Sequence, residues 1–161
     1  MKRIIGRCGL VVVVTSSMVL VANAGAASAI TPNSVAKTFS FIGKSNSKTS
    51  TIVNVDSLLI NARCDSRGFP VIFAFSTAQN ADLFGRIFDG LGRLHIVKNS
   101  SFVNGTKGTP LSTSSGDYDA TGTVLFEKTD GTVVTVSYAF DNSTTLGKQK
   151  VCTVYGSYVA S

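Results

Sequence analysis

Few side chains in this sequence could carry out acid–base chemistry. His95 is the single histidine among 161 residues, and the most suggestive carboxylates are Asp117, Asp119 and Glu127. A serine hydrolase needs a histidine that is held by a carboxylate beside an activated serine, and a glycosidase needs two carboxyl groups at a defined separation in a cleft. No G-x-S-x-G motif accompanies the histidine. The four residues give a carboxylate-based hydrolase as an alternative hypothesis, which requires them to converge in one concave site.

The segment Asp117-Tyr118-Asp119 is the most suggestive short motif. Its two carboxylates lie two residues apart in a Ser- and Gly-rich stretch. On an extended loop they could point the same way and share a calcium ion with backbone or amide oxygens. A solvated turn is the simpler interpretation, and one histidine is too few for a zinc site. We therefore predict no cofactor, with a ligand or calcium loop at these three residues as the alternative.

Two further predictions concern the histidine and the tyrosine side chains. His95 alternates with Leu94 and Ile96, which predicts a solvent-facing histidine on the polar side of a strand. Sugar recognition needs exposed aromatic rings for stacking, and the chain has no Trp. Tyr155 and Tyr158 are available, together with the tyrosine of the motif above. This composition weakens a lectin interpretation without excluding it.

The N-terminal segment of the chain has the features of a bacterial-type export signal, and the predicted strands come after it. Basic residues at positions 2, 3 and 7 precede an uncharged, mostly apolar stretch over residues 9–22, and Ala-Ser-Ala at 27–29 matches a signal-peptidase site. A stretch of 14 residues is shorter than the roughly 20 that span a bilayer. We predict a cleaved signal peptide over residues 1–29, a single secreted domain over residues 30–161, and no membrane span after cleavage.

The basic charge belongs partly to that leader. The whole chain has 15 basic and nine acidic residues, and the leader holds three of the basic ones and none of the acidic ones, so 12 against nine remain. The remaining Lys and Arg are scattered singly, without the basic stripe that is typical of a nucleic-acid surface. We predict no nucleic-acid partner.

Two cysteines remain after the leader, Cys64 and Cys152. In an oxidising compartment a lone pair predicts a disulfide. Because the bond would close a long loop, the chain-entropy account gives it about 4–5 kcal/mol of stabilisation.

Segments rich in Val, Ile, Thr, Phe and Tyr alternate with Gly, Asn, Asp and Ser clusters, which is β composition. Seven or eight short strands with one crossing disulfide predict an antiparallel β-sandwich, with a small closed β-barrel as the alternative. The expected strands include residues 35–42, a long strand over 51–64 with a bulge or break at Asp56-Ser57, and a last strand over 149–159.

Residues 80–92 are ambiguous. Asn80 could cap a short helix over 80–90, but Gly85 would lie in its middle, and the sequence that follows favours a hairpin through Gly90-Leu91-Gly92. We favour the hairpin.

A second hairpin covers residues 123–140. A three-residue loop over 129–131 pairs Phe126 with Val134, gathers the apolar side chains with Tyr138 on one face, and gives Gly131 the left-handed conformation. Between the two hairpins, residues 99–122 form a long polar stretch, which we expect Phe102-Val103 and Pro110-Leu111 to fix to the core.

Since loops on a rigid scaffold commonly carry recognition, the leading functional hypothesis is a non-enzymatic module, extracellular or periplasmic, that binds an unknown ligand or surface partner.

Overall fold

A computed structural model of the chain describes residues 36–103, 105, 107–113, 119–142, 145–146 and 149–161. Within these ranges the chain forms eleven strands and no helix. The predicted signal peptide, residues 1–29, lies outside them. The strands are β1 (Lys37–Lys44), β2 (Ser50–Val55), β3 (Leu58–Cys64), β4 (Pro70–Ser76), β5 (Ala81–Asp89), β6 (Leu94–Phe102), β7 (Thr109–Pro110), β8 (Asp119–Glu127), β9 (Val133–Asp141), β10 (Thr145–Leu146) and β11 (Gln149–Ala160).

The strands form two antiparallel sheets. The larger follows the order β1-β11-β9-β8-β5-β6, with β10 paired to β11, and the smaller follows β2-β3-β4-β7. Inward side chains of both sheets share one hydrophobic core, so the fold is the predicted β-sandwich rather than a closed barrel. The strand count exceeds seven or eight because residues 51–64 divide into two strands and because β7 and β10 have two residues each. Core side chains with almost no exposure include Ile60 and Ile72 from the smaller sheet and Leu83, Val124 and Phe126 from the larger.

The hairpin between β8 and β9 has the predicted register. Phe126 pairs with Val134, and the Lys128 amide donates a 3.0 Å hydrogen bond to the Thr132 carbonyl across the three-residue loop. Gly131 has φ 86°, the left-handed conformation that this loop requires. The prediction is therefore confirmed. This register forms because it places the apolar side chains of both strands on the face that packs against the core.

The helix considered over residues 80–90 is not formed, since Ala81–Asp89 is strand β5 and pairs with β6. Its side chains alternate strictly, with Leu83 and Ile87 buried and Phe84 and Phe88 exposed. A strand with apolar side chains on both faces resembles a helix in sequence, because the apolar residues then fall at several spacings at once.

An aspartate fixes the loop of this hairpin. Asp89 Oδ1 accepts hydrogen bonds from the backbone amides of Leu91 (3.0 Å) and Arg93 (2.8 Å), and Gly92 has φ 76°. Asp65 makes the same two contacts, with the amides two and four residues later, in the loop between β3 and β4. Both loops are therefore built as Asp, two further residues and a left-handed glycine, since the carboxylate satisfies amides that the tight turn leaves unpaired.

The long strand expected over residues 51–64 is instead a tight hairpin of β2 and β3. Val55 pairs directly with Leu58, and Asp56 and Ser57 have φ 44° and 74°. Two successive left-handed residues are the backbone of a type I′ turn. The break was predicted at the right residues, and the chain reverses there rather than bulging.

The stretch after β6 is fixed to the core by Phe102 and Leu111, both buried, whereas Val103 and Pro110, which were predicted to join them, are exposed. The Tyr138 hydroxyl of β9 donates a 2.6 Å hydrogen bond to the Leu111 carbonyl, and the Tyr138 ring covers Gly122 of β8, where a Cβ atom has no room. Burial raises the pKa of Tyr138, so its hydroxyl stays protonated and remains a donor.

Cys64 of β3 and Cys152 of β11 form the predicted disulfide, with their Cα atoms 5.8 Å apart. The bond joins the smaller sheet to the larger, and both cysteines are fully buried. A cysteine pair in this arrangement is compatible with an oxidising compartment. Among the residues that the structure describes, no helix has the length and hydropathy to cross a membrane.

Candidate binding site

Two residues of the hydrolase hypothesis, Asp119 and Glu127, lie at opposite ends of one strand. Asp119 begins β8 and Glu127 ends it, which separates their Cα atoms by about 26 Å at ~3.3 Å per residue. Asp117 and Tyr118 lie outside the described residues, so the calcium loop over 117–119 stays a prediction. Across the described part of the chain, no group of three or more His, Cys, Asp and Glu side chains could hold a metal ion.

His95 is partly exposed, but the face of its strand that is most open to solvent carries Leu94 and Ile96 and is not the polar face that was predicted. Leu94 and Ile96 are exposed on the outer face of the sheet, while the imidazole turns to the other face and remains 40% exposed. His95 Nε2 lies 2.9 Å from Asp89 Oδ2. The prediction failed because the carboxylate at the end of β5 binds the imidazole, whereas the flanking aliphatic side chains have no core beneath them.

Asp89 is the most constrained ionisable group of the described residues. Its side chain has no solvent exposure, and its Oδ2 also accepts a 2.6 Å hydrogen bond from Arg93 Nε. Burial alone would raise the pKa of Asp89, but hydrogen bonds from His95 and from Arg93 outweigh it and hold the pKa well below its usual range. Through these contacts Asp89 ties His95 and Arg93, which follow the β5–β6 loop, to the end of β5.

The exposed face of the larger sheet carries a row of side chains that crosses four strands. Tyr155 of β11 pairs with Ala139 of β9, Ala139 with Thr121 of β8, and Thr121 with Phe88 of β5. Tyr155 is 55% exposed and Phe88 47%. Three strand spacings of about 4.8 Å put the two aromatic positions roughly 14 Å apart. The two short side chains between them leave a depression with an aromatic ring at each side.

A cavity of about 660 Å³ occupies this depression. Its lining includes the row just described and, at one end, the carboxylates of Asp119 and Asp141, which pair directly across β8 and β9. Gly90 of the β5–β6 loop lies against the Asp119 carboxylate, with no room for a Cβ atom. The Asp89 loop therefore forms one wall of the cavity, and its hydrogen bonds fix that wall in place.

Two more cavities continue along the same face in the strand direction. The next, of about 490 Å³, shares Phe88 and Thr121 with the first and adds Arg86, Thr123 and Ser137. A third, of about 290 Å³, is lined by side chains that include Phe84, Leu125 and Lys98. We call these three cavities together the outer groove. It follows β5 and β8 along their length, about 26 Å at the usual rise.

The outer groove has features of ligand-binding sites. The volumes of its first two cavities, and their mixture of aromatic surface with a few polar groups, are those of ligand sites. The hydroxyls of Thr121, Thr123 and Ser137 can donate and accept hydrogen bonds, the carboxylates can accept, and Arg86 can donate.

Sequence reasoning missed most of the outer groove. Tyr155 was recognised as available for stacking, but Tyr158 packs partly buried against the core. Phe88 and Ala139 carried no signal, because the depression between the aromatic rings depends on which strands are neighbours.

We compared the chain with protein-family models, with curated proteins and with solved structures, and none of the three comparisons found a match.

Proposed function

We propose that this chain is an exported, non-enzymatic β-sandwich module that binds a surface partner outside the cytoplasm, for which the bacterial envelope is the probe, and that its outer groove is the binding site. The observation that carries the proposal is the row from Tyr155 to Phe88, in which two exposed aromatic rings flank a cavity with a floor of short side chains. Soluble proteins seldom leave large apolar side chains grouped on one face without a partner.

Export is the second part of the proposal. It is supported by the leader over residues 1–29 and by the buried Cys64–Cys152 pair, which suits an oxidising space. A disulfide-closed scaffold also presents a preformed groove, which reduces the ordering cost of binding.

The test has two readouts on the full chain expressed in a bacterial host. Mass spectrometry of the protein outside the cytoplasm should show a start near Ile30 and a loss of two hydrogen atoms from the Cys64–Cys152 bond. Purified mature protein should then co-sediment with the host envelope, and Phe88→Ala or Tyr155→Ala should reduce the bound fraction.

Phe73→Ala is the matched control, because it removes a half-buried aromatic ring from the opposite sheet. Retention in the cytoplasm with residues 1–29 intact and with Cys64 and Cys152 both reduced would contradict export. Envelope binding that is equal in the groove variants and the control would contradict the assignment of the site.

A further inference from the structure

The chemistry of the outer groove also identifies the class of ligand, an inference that rests on the proposed function. We infer that the outer groove binds an extended, neutral glycan, whose chain lies along β5 and β8 and whose sugar rings at one end of that chain contact Phe88 and Tyr155 in the first cavity.

The aromatic spacing favours a stacked ring over an apolar anchor. Phe88 and Tyr155 lie roughly 14 Å apart, three strand spacings across the sheet, so the two rings cannot close on one aliphatic side chain. The space between them is floored by Ala139 and Thr121. A sugar ring that stacks on either aromatic side chain would still be in reach of Ala139 and Thr121.

The polar groups match a ligand that both donates and accepts hydrogen bonds. The Asp119 carboxylate only accepts, the Arg86 guanidinium only donates, and the Thr121 and Ser137 hydroxyls do both. All four line the first two cavities. A sugar with neighbouring hydroxyls satisfies each of these groups, whereas the backbone of a peptide offers fixed donors and acceptors at one spacing.

The charges along the outer groove favour a neutral chain. Carboxylates lie at both ends, Asp119 at one and Asp82 and Glu127 at the other, and they outnumber the two cations that line the groove, Arg86 and Lys98. A polyanion such as a nucleic acid or an anionic lipid surface would be repelled by this arrangement. Arg86 lies midway along the groove and would oppose an extended polycation.

The shape favours a linear ligand. The first two cavities share Phe88 and Thr121, and the third follows on the same face at Phe84 and Leu125. The path runs along the strands for about 26 Å. Affinity is therefore expected to rise with the length of the oligosaccharide until this path is filled.

The experiment measures binding of the mature protein to a set of neutral linear oligosaccharides of two to eight residues, with α-linked glucose, β-linked glucose and N-acetylglucosamine chains as probes. We expect saturable binding of at least one series, with affinity that increases with length. Phe88→Ala and Tyr155→Ala should each weaken it roughly tenfold, as expected for central aromatic contacts. Phe73→Ala should leave it unchanged.

Envelope treatments distinguish this inference from the proposed function. An excess of the oligosaccharide that binds should abolish groove-dependent co-sedimentation, whereas prior protease digestion of the envelope should not. Groove-dependent binding that is lost after protease, together with no binding of any oligosaccharide series, would overturn the glycan inference and leave the proposed function standing. The absence of any groove-dependent binding, to envelope or to oligosaccharide, would overturn both.

Discussion

Tyr155 and Phe88 occupy one cross-strand row of the larger sheet, with only Ala139 and Thr121 between them. Both aromatic side chains are about half exposed, although they come from β11 and β5, which are far apart in the sequence. The order β11-β9-β8-β5 brings them onto one face. This relationship makes the exposed face of the sheet a groove rather than a flat surface.

Filling the floor of the groove should block binding without removing an aromatic ring. Ala139→Trp would place a large side chain between Tyr155 and Phe88, so we expect affinity for the envelope or for an oligosaccharide to fall more than tenfold. The free energy of unfolding should change by less than about 1 kcal/mol, because the position faces outward. Isothermal titration and chemical denaturation measure the two effects.

Thr38→Trp is the control for that substitution, since Thr38 is an exposed position at the far edge of the same sheet. Equal binding by Ala139→Trp and Thr38→Trp would show that the ligand does not occupy the depression.

The hydrogen bond between the sheets should contribute measurably to stability. Tyr138→Phe removes the hydroxyl that donates to the Leu111 carbonyl and leaves that buried acceptor unpaired, which costs about 1–3 kcal/mol. Tyr155→Phe is the matched control, because its hydroxyl is removed from an exposed ring. Urea unfolding should separate the two variants, and equal midpoints would contradict the role assigned to Tyr138.

The turn between β2 and β3 contains a residue in an unfavourable conformation. Ser57 has φ 74°, which costs a residue with a Cβ atom about 1 kcal/mol, whereas Gly is the usual residue at this position of a type I′ turn. Ser57→Gly should therefore raise the free energy of unfolding by about 0.5–1 kcal/mol. Thermal unfolding checks this, with Ser66→Gly as the control in another exposed loop. A lower midpoint for Ser57→Gly would contradict the turn assignment.

Acid should destabilise the protein through Asp89. Burial would raise the pKa of this carboxyl group, but hydrogen bonds from His95 and Arg93 hold it well below the usual value. The unfolded chain then takes up a proton at a higher pH than the folded protein does, so the contribution of Asp89 is present above about pH 4 and is lost as the pH falls below it.

Asp89→Asn cannot titrate, and its melting temperature should therefore fall less steeply than that of the wild type between pH 5 and 2. Asp82→Asn, at an exposed position of the same strand, serves as the control. Parallel pH profiles for the wild type and Asp89→Asn would contradict the depressed pKa.

Local pattern predicted much of the fold. The register of β8 and β9 followed from the separation of apolar and polar side chains around Gly131, and the break at Asp56-Ser57 followed from a change of parity. Residues 80–90 stayed ambiguous because β5 has apolar side chains on both faces, and one of those faces is the outer groove. Phe84 and Phe88, which made the secondary structure of this segment ambiguous, are thus residues that line the outer groove.

The candidate site could not be predicted, because it depends on strand order. Neither Phe88 nor Ala139 has a distinctive neighbour in the sequence, and each acquires its role from a strand paired beside it. The direction of His95 was wrong for a related reason. Alternating residue types predict that the two sides of a strand differ. Which side faces the core depends on the strands and loops that pack against it. At this end of β6 the His95 imidazole contacts Asp89.

The most direct test of the central claim, that the outer groove is the binding site, is a titration of isotopically labelled mature protein with a binding neutral oligosaccharide, followed by amide chemical shifts. We predict that the perturbed amides cluster on β5, β8, β9 and β11 around Phe88, Thr121, Ala139 and Tyr155, while those of β2, β3 and β4 stay unchanged. Perturbations confined to the smaller sheet would contradict the account.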